Sequence, residues 1–180
     1  MRRRHDGEVD EGCCCPQGYA TVVLNGQTWL AENLNIDVPG ASGCYGNNLS
    51  NCADYGRLYN WEAAQTACAQ LGDCWRVPTD DEWRAMGESF GGTVDYPGTG
   101  SAPAYTALID GGSSGFDALL GGYRNPDGSF HSLGVTGFYW SGTENGTQDA
   151  WDYCFYSYYG ELSRGYNDKP FAFSCRCVQG

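Results

Sequence analysis

Ten cysteines spread along a chain of 180 residues limit what it can become more than any other feature. In a reducing cytosol most would be idle or hazardous thiols, whereas an oxidising exterior or periplasm turns them into bridges that staple a fold. The even number suits a full set of disulfides, but number alone does not give connectivity. Zinc competes for the same residues. Only His5 and His131 could join them, and no pair of Cys-x-x-Cys knuckles exists, so bridges are the better reading. Cys13, Cys14 and Cys15 are adjacent and cannot all point one way; at least one is expected to reach a distant partner or another chain.

Length allows one domain with a short N-terminal tail over 1–18 and the folded unit over 19–180. The 27 glycines argue for many turns and few long helices, and the net charge of -12 argues against phosphate backbones and anionic membranes as partners. No run approaches the roughly 20 apolar residues of a membrane span. The start, Met1-Arg-Arg-Arg-His-Asp6, has charge but no apolar segment behind it. An exported chain would therefore have lost its signal or belong to something longer. Asn48-Leu-Ser50 and Asn145-Gly-Thr147 match the glycosylation sequon, a frequent chance match.

Along the chain, 19–24 and 27–31 flank Asn25-Gly26, the pair a type I′ hairpin turn prefers because both central residues need positive φ. Leu58, Trp61, Ala64, Cys68 and Leu71 recur at steps of three or four, a helical stripe that Gly72 ends. Thr79-Asp-Asp-Glu82 is a capping box opening a second helix, with Trp83, Met86 and Phe90 as its apolar stripe. Asp80, Asp81 and Glu82 thereby have a structural explanation. Residues 91–115 read as Gly/Ser/Thr/Pro loop, which confines helices to 55–92. Residues 121–130 read as two short strands around Asn-Pro-Asp-Gly. Strands follow over 138–141, 150–158, 162–166 and 171–178, giving an α+β domain with a mostly antiparallel sheet. Alternation puts Trp151, Tyr153, Phe155 and Ser157 on one face of their strand and Asp152, Cys154, Tyr156 and Tyr158 on the other. Phe171 and Phe173 are assigned to the core.

The stretch from 138 to the end is crowded with Tyr, Trp, Phe, Ser, Asn, Asp and Gly. Tyr and Trp give large contact area for few rotatable bonds, while Ser, Gly and Asn adapt their hydrogen bonding, a mixture typical of recognition surfaces. The expected ligand-facing residues are Asp152, Tyr153, Tyr156, Tyr158, Tyr159, Arg164, Tyr166, Asn167 and Asp168. A Ser-His-Asp site would need His5, in the tail, or His131, which has no nucleophile motif near it. The chain reads as a non-catalytic binding module without a cofactor.

Several strings resemble the Fibrobacter succinogenes major paralogous domain: Gly26-Gln-Thr-Trp-Leu-Ala-Glu-Asn-Leu-Asn35, Cys44-Tyr-Gly-Asn-Asn48, Asn51-Cys-Ala-Asp-Tyr-Gly-Arg-Leu-Tyr-Asn-Trp-Glu-Ala-Ala64, Trp75-Arg-Val-Pro-Thr-Asp-Asp-Glu-Trp83, Ser114-Gly-Phe-Asp-Ala-Leu-Leu-Gly-Gly-Tyr-Arg124, Tyr139-Trp-Ser-Gly-Thr-Glu144 and Arg176-Cys-Val178. The resemblance runs in order from about Val22 to the end. It implies a C-type lectin-like fold, related to formylglycine-generating enzymes and to variable proteins of diversity-generating retroelements. It also implies a secreted or surface setting in bacteria, or a place in a phage or extracellular assembly, which the tail could join. The first helix resembles that of C-type lectins, whose helix cysteine bridges to the last strand, here Cys68 to Cys177. Cys44–Cys52 is expected as a local bridge and Cys154–Cys175 as a further one. The family's Cys-Pro-x-Gly-Trp segment is broken, since Cys74 abuts Trp75.

Three alternatives follow from the resemblance. A copper oxidase like the formylglycine-generating enzymes would use Cys68/Cys74 or Cys175/Cys177, but neither pair has that family's active-site surroundings. A calcium lectin would draw on Glu144, Asn145, Asp149 and Asp152. A retroelement-diversified receptor would show adenine-driven enrichment in Asn, Tyr, Asp and Ser. Tyr153, Tyr156, Tyr158, Tyr159, Tyr166, Asn167 and Asp168 fit that colouring, although a sheet protein with 13 tyrosines must place them somewhere. The ligand expected for the module is a protein or glycan on another surface.

Overall fold

The structure, a computed structural model, describes residues 18–72, 74–95 and 100–180. The segment read as a tail, with its cysteines at 13–15, lies outside the described residues. The first hairpin forms as its turn sequence requires. Strand β1 (Thr21–Leu24) pairs antiparallel with β2 (Gln27–Leu30), and Asn25 and Gly26 take φ of 48° and 76°. After β3 (Ser42–Gly43) comes α1 (Leu49–Tyr55), a helix the sequence reading lacked. It is seven residues of mostly polar side chains with one buried position, Cys52, so it has no apolar stripe to detect.

Strand β4 (Leu58–Tyr59) leads into α2 (Trp61–Ala69). Asn60 starts this helix, its side chain accepting from the Ala63 N–H at 2.8 Å. The helix is therefore shorter than the stripe: Leu58 belongs to β4, while Ala63, Ala64, Ala67 and Cys68 form the buried face. Strand β5 (Trp75–Arg76) precedes α3 (Asp80–Glu88), which opens on the expected capping box. The Glu82 N–H donates to Thr79 Oγ1 at 3.2 Å, and the Thr79 N–H donates back to Glu82 Oε2 at 2.8 Å. A further helix, α4 (Ala102–Leu108), lies inside the stretch read as loop. Ser101 caps it, accepting from the Ala104 N–H at 3.0 Å, and Pro103 sits in its first turn, where no N–H is needed. The confinement of helices to 55–92 is thus corrected at both ends.

Strands β6 (Tyr123–Arg124) and β7 (Phe130–His131) close around the Asn-Pro-Asp-Gly turn as expected. The main sheet is antiparallel in the order β10-β9-β8, built from β8 (Thr136–Glu144), β9 (Asp149–Tyr156) and β10 (Glu161–Asp168). A second sheet has the order β1-β2-β11-β5. Its strand β11 (Val178–Gln179) pairs Val178 with Trp29, so the chain's end lies on its first hairpin. Residues 171–178, expected as one strand, are different. Ala172, Phe173 and Ser174 bridge in turn to Arg124, Tyr59 and Tyr139, so the segment threads between elements and only its end joins a sheet.

Four α-helices and several antiparallel sheets among the described residues make this an α+β fold. Both faces of the main sheet are covered. Tyr139, Tyr153, Phe155 and Leu162 pack with Trp29, Trp83 and Phe116 on one side, and Trp140 and Ala150 pack with Tyr59, Phe173 and Cys68 on the other. A sheet covered on both sides needs apolar residues on both, which is why its strands lack a clean polar alternation. Arg176 is fully buried between them. Its Nε donates to Asn33 Oδ1 at 2.8 Å, its Nη1 to the Leu30 carbonyl at 3.0 Å and its Nη2 to the Asp117 carbonyl at 2.7 Å.

Cys44–Cys52 and Cys68–Cys177 are bridged as expected, and Cys74 is also disulfide-bonded. Cys154–Cys175 is not: both are buried free thiols. Strand β8 runs between them, paired with β9 through Phe138↔Cys154 and bridged on its other side through Tyr139↔Ser174. Two interstrand spacings are roughly 10 Å, beyond the about 7 Å that a disulfide spans between Cα atoms. Among the described residues no helix is long and apolar enough to cross a membrane.

Candidate binding surface

The register of β9 and β10 decides where each expected contact residue stands. Cys154 opposes Ser163, Asp152 opposes Gly165 and Ala150 opposes Asn167, so these side chains share one face with Phe138 and Trp140 of β8. A cavity of about 140 Å³ opens on that face, lined by Phe138, Asp152, Cys154, Tyr156, Ser163, Arg164, Gly165, Tyr166 and Asn167. Of the nine expected residues, Asp152, Tyr156 and Asn167 bring their side chains to this face; Arg164 and Tyr166, opposite Tyr153 and Trp151 in the register, border the cavity but turn their side chains to the other face.

The cavity floor is polar but buried. Asp152 is 1% exposed, and Asn167 Nδ2 donates to its Oδ2 at 2.8 Å. Burial pushes its carboxyl up to about 7, against the weaker pull of that amide. The Cys154 thiol beside it is driven well above its ordinary value, first by burial and then by the nearby Asp152. A thiol so held is neutral and a poor nucleophile. Ser163 Oγ donates to Glu161 Oε1 at 3.0 Å.

Tyr153 is not part of any surface, which corrects its place among the contact residues. It lies on the opposite face, fully buried and stacked on Trp83 at 5.1 Å, and its hydroxyl donates to the Asp80 carbonyl and to Asp80 Oδ1, each at 2.8 Å. Alternation correctly separated it from Asp152, but both faces turned out to be covered. Arg164 is also committed elsewhere. Its Nε and Nη2 hold the two Asp80 oxygens at 2.7 and 2.6 Å, and its guanidinium lies 3.3 Å over the Trp151 ring.

Tyr158 and Tyr159 occupy the turn between β9 and β10 and are 85% and 64% exposed, their ring centroids 5.0 Å apart. Val135, absent from the sequence reading, joins them. It is half exposed, and its carbonyl accepts from both the N–H and the hydroxyl of Ser157. Tyr166, edge-on to Trp151 at 5.7 Å, stands toward the other end of the sheet. By strand register it is five residues from the turn, about 17 Å. The expected surface is thus an aromatic turn, a cavity beside it and, on the other face of the sheet, the Tyr166 ring, rather than one continuous patch. Asp168 is exposed and hydrogen-bonded to Asp149, whose carboxyl it raises.

Glu144 is paired with Lys169 at 2.6 Å, and Asp149 and Asp152 point to opposite faces of β9, so the proposed calcium ligands do not converge. Cys68 and Cys74 are both bridged, and of Cys175/Cys177 only Cys175 is free, with its thiol pushed up to about 12 by burial. The sulfurs of Cys68, Cys175 and Cys177 lie within 4.8 Å of one another, but two of the three share a disulfide. Ser129 Oγ lies 3.0 Å from His131 Nε2, a neighbour the sequence reading missed. Asp127 accepts from that same hydroxyl at 2.6 Å instead of orienting the ring, as in a turn brace.

A larger cleft of about 470 Å³ was not foreseen. Tyr19, Glu32, Asn33, Asn35, Asp54 and Asp117 are among its lining residues, and it is formed by the loop after β2 meeting α1. No local motif could have shown it, because its walls come from four separate parts of the chain.

Residues 22–179 match the family model described as the Fibrobacter succinogenes major domain. No curated protein and no solved structure matches the chain.

Proposed function

The chain belongs to the Fibrobacter succinogenes major domain family, and from that premise we propose that it is a non-catalytic extracellular binding module with a C-type lectin-like fold. Its ligand is a protein or glycan on another surface. The observation that carries this reading is the pair Tyr158 and Tyr159, held out of a fold that buries most of its large rings. Exposed aromatic side chains in contact at a turn, with Val135 beside them, are the residue types that dominate contact energy. The disulfides favour an oxidising setting. Absence of catalysis is favoured by the raised Cys154 and Cys175 thiols and by the turn-bracing role of Asp127 beside His131.

Panning a displayed random peptide library and a printed glycan array tests this. Selected binders should weaken about tenfold or more with Tyr158→Ala/Tyr159→Ala, and should be indifferent to Leu49→Ala, an exposed residue elsewhere. Binders insensitive to the tyrosine pair would remove the surface from consideration, and binding lost on chelation would favour the calcium lectin. The reading extends to a retroelement-diversified receptor. An adenine-biased template copy of the 3′ end in the surrounding DNA is its test, and lack of one leaves the binding module intact.

A further inference from the structure

We propose that the cavity on the Asp152 face takes an ammonium group, such as a lysine side chain of the partner, with Asp152 as counter-ion and Phe138 and Tyr156 as aromatic walls. This rests on the binding-module reading and gives its ligand a chemistry. At about 140 Å³ the cavity is close to one that admits benzene, so it holds the end of one side chain and not an oligosaccharide. The one acid among its lining residues is Asp152, and Ser163 and Asn167 are neutral hydrogen-bonding groups. The one cation among its lining residues, Arg164, has its guanidinium bound by Asp80 and stacked on Trp151. Asp152 keeps Asn167 on Oδ2, while Oδ1 lies where a Cβ on Gly165 would come within 3.5 Å; glycine there leaves the space open. A carboxylate sharing a cavity with aromatic rings attracts ammonium ions, and the net charge of -12 favours their approach.

The buried carboxyl also makes the site sensitive to pH. Burial raises Asp152 to about 7, so an entering ammonium replaces a proton. Its neighbours on β9, Cys154 and Tyr156, are both pushed up by burial and stay neutral. From β10 come Glu161, hydrogen-bonded to Ser163, and Arg164, paired with Asp80. From β8 come Phe138 and Trp140, which do not titrate.

The test is a titration of the whole chain with Nα-acetyl-lysine methylamide, followed by amide NMR shifts at Gly165 and Asn167. Affinity should be about tenfold tighter at pH 8 than at pH 6, the ratio of ionised Asp152 at those values. Asp152→Asn should lose that gain, and Gly165→Ala should block the probe while the domain stays folded. The Nε-acetylated probe, which is neutral, should not bind. Equal binding of the two probes, or a lysine affinity independent of pH and of Asp152→Asn, overturns the proposal. If the lysine probe fails while Tyr158→Ala/Tyr159→Ala still weakens selected binders, the ammonium site falls and the binding surface stands.

Discussion

Asp80, in the first turn of α3, holds Arg164 through both carboxylate oxygens and accepts the Tyr153 hydroxyl, tying the helix to β9 and β10 at once. Removing it strands a mostly buried guanidinium, so Asp80→Ala should destabilise by on the order of 3 kcal/mol, read from urea unfolding. Asp152 acts in the opposite sense. Its folded value of about 7 lies above the roughly 3.9 of an unfolded chain, so the folded state holds a proton that the unfolded state releases. Its contribution is fully present below pH 4 and is lost as pH rises to 7, by up to about 4 kcal/mol. Urea unfolding at pH 5 and pH 8 should show that slope flattened in Asp152→Asn. A slope unchanged by the substitution would mean that the carboxyl is not buried.

Elements with a local cause were legible. The Asn25-Gly26 hairpin, the turn over 125–128 and the Thr79 capping box each depend on a few neighbouring residues, and each formed as read. Thr79→Ala should cost about 1 kcal/mol by thermal unfolding, since it leaves the Glu82 N–H without its acceptor. What was not legible depended on distant partners. Residues 171–177 alternate like a strand, yet their bridges go to Tyr59, Arg124 and Tyr139, three places that sequence spacing cannot bring together. Tyr153 failed as a contact residue for the same reason: alternation assigns a face, but whether another layer covers that face is decided by Trp83, 70 positions earlier. Helix α4 was hidden differently, by a Gly- and Ser-rich setting around a serviceable Ser101 cap and Pro103.

Across the whole molecule, one covalent link joins α2 to the last residues of the chain. Cys68–Cys177 closes a separation of 109 residues, worth about 4.7 kcal/mol in the chain-entropy model, against about 2–3 for the eight of Cys44–Cys52. Cys68→Ser should therefore be the more damaging loss. Its partner position is a different matter, because the Cys175 sulfur already lies 3.5 Å from Cys68 Sγ. In Cys177→Ser the freed Cys68 has a substitute nearby, and a Cys68–Cys175 bridge would span nearly the same length, 107 residues. Burial keeps the Cys175 thiol protonated, with its value near 12, so the exchange should be slow in the folded state and should complete during oxidative refolding. Refolded Cys177→Ser is thus expected to retain most of the stability that Cys68→Ser loses, with the new bridge visible by non-reducing peptide mapping. Equal losses in the two variants, with Cys175 still free, would show that the surrounding core holds the two sulfurs apart and does not yield to form the bond.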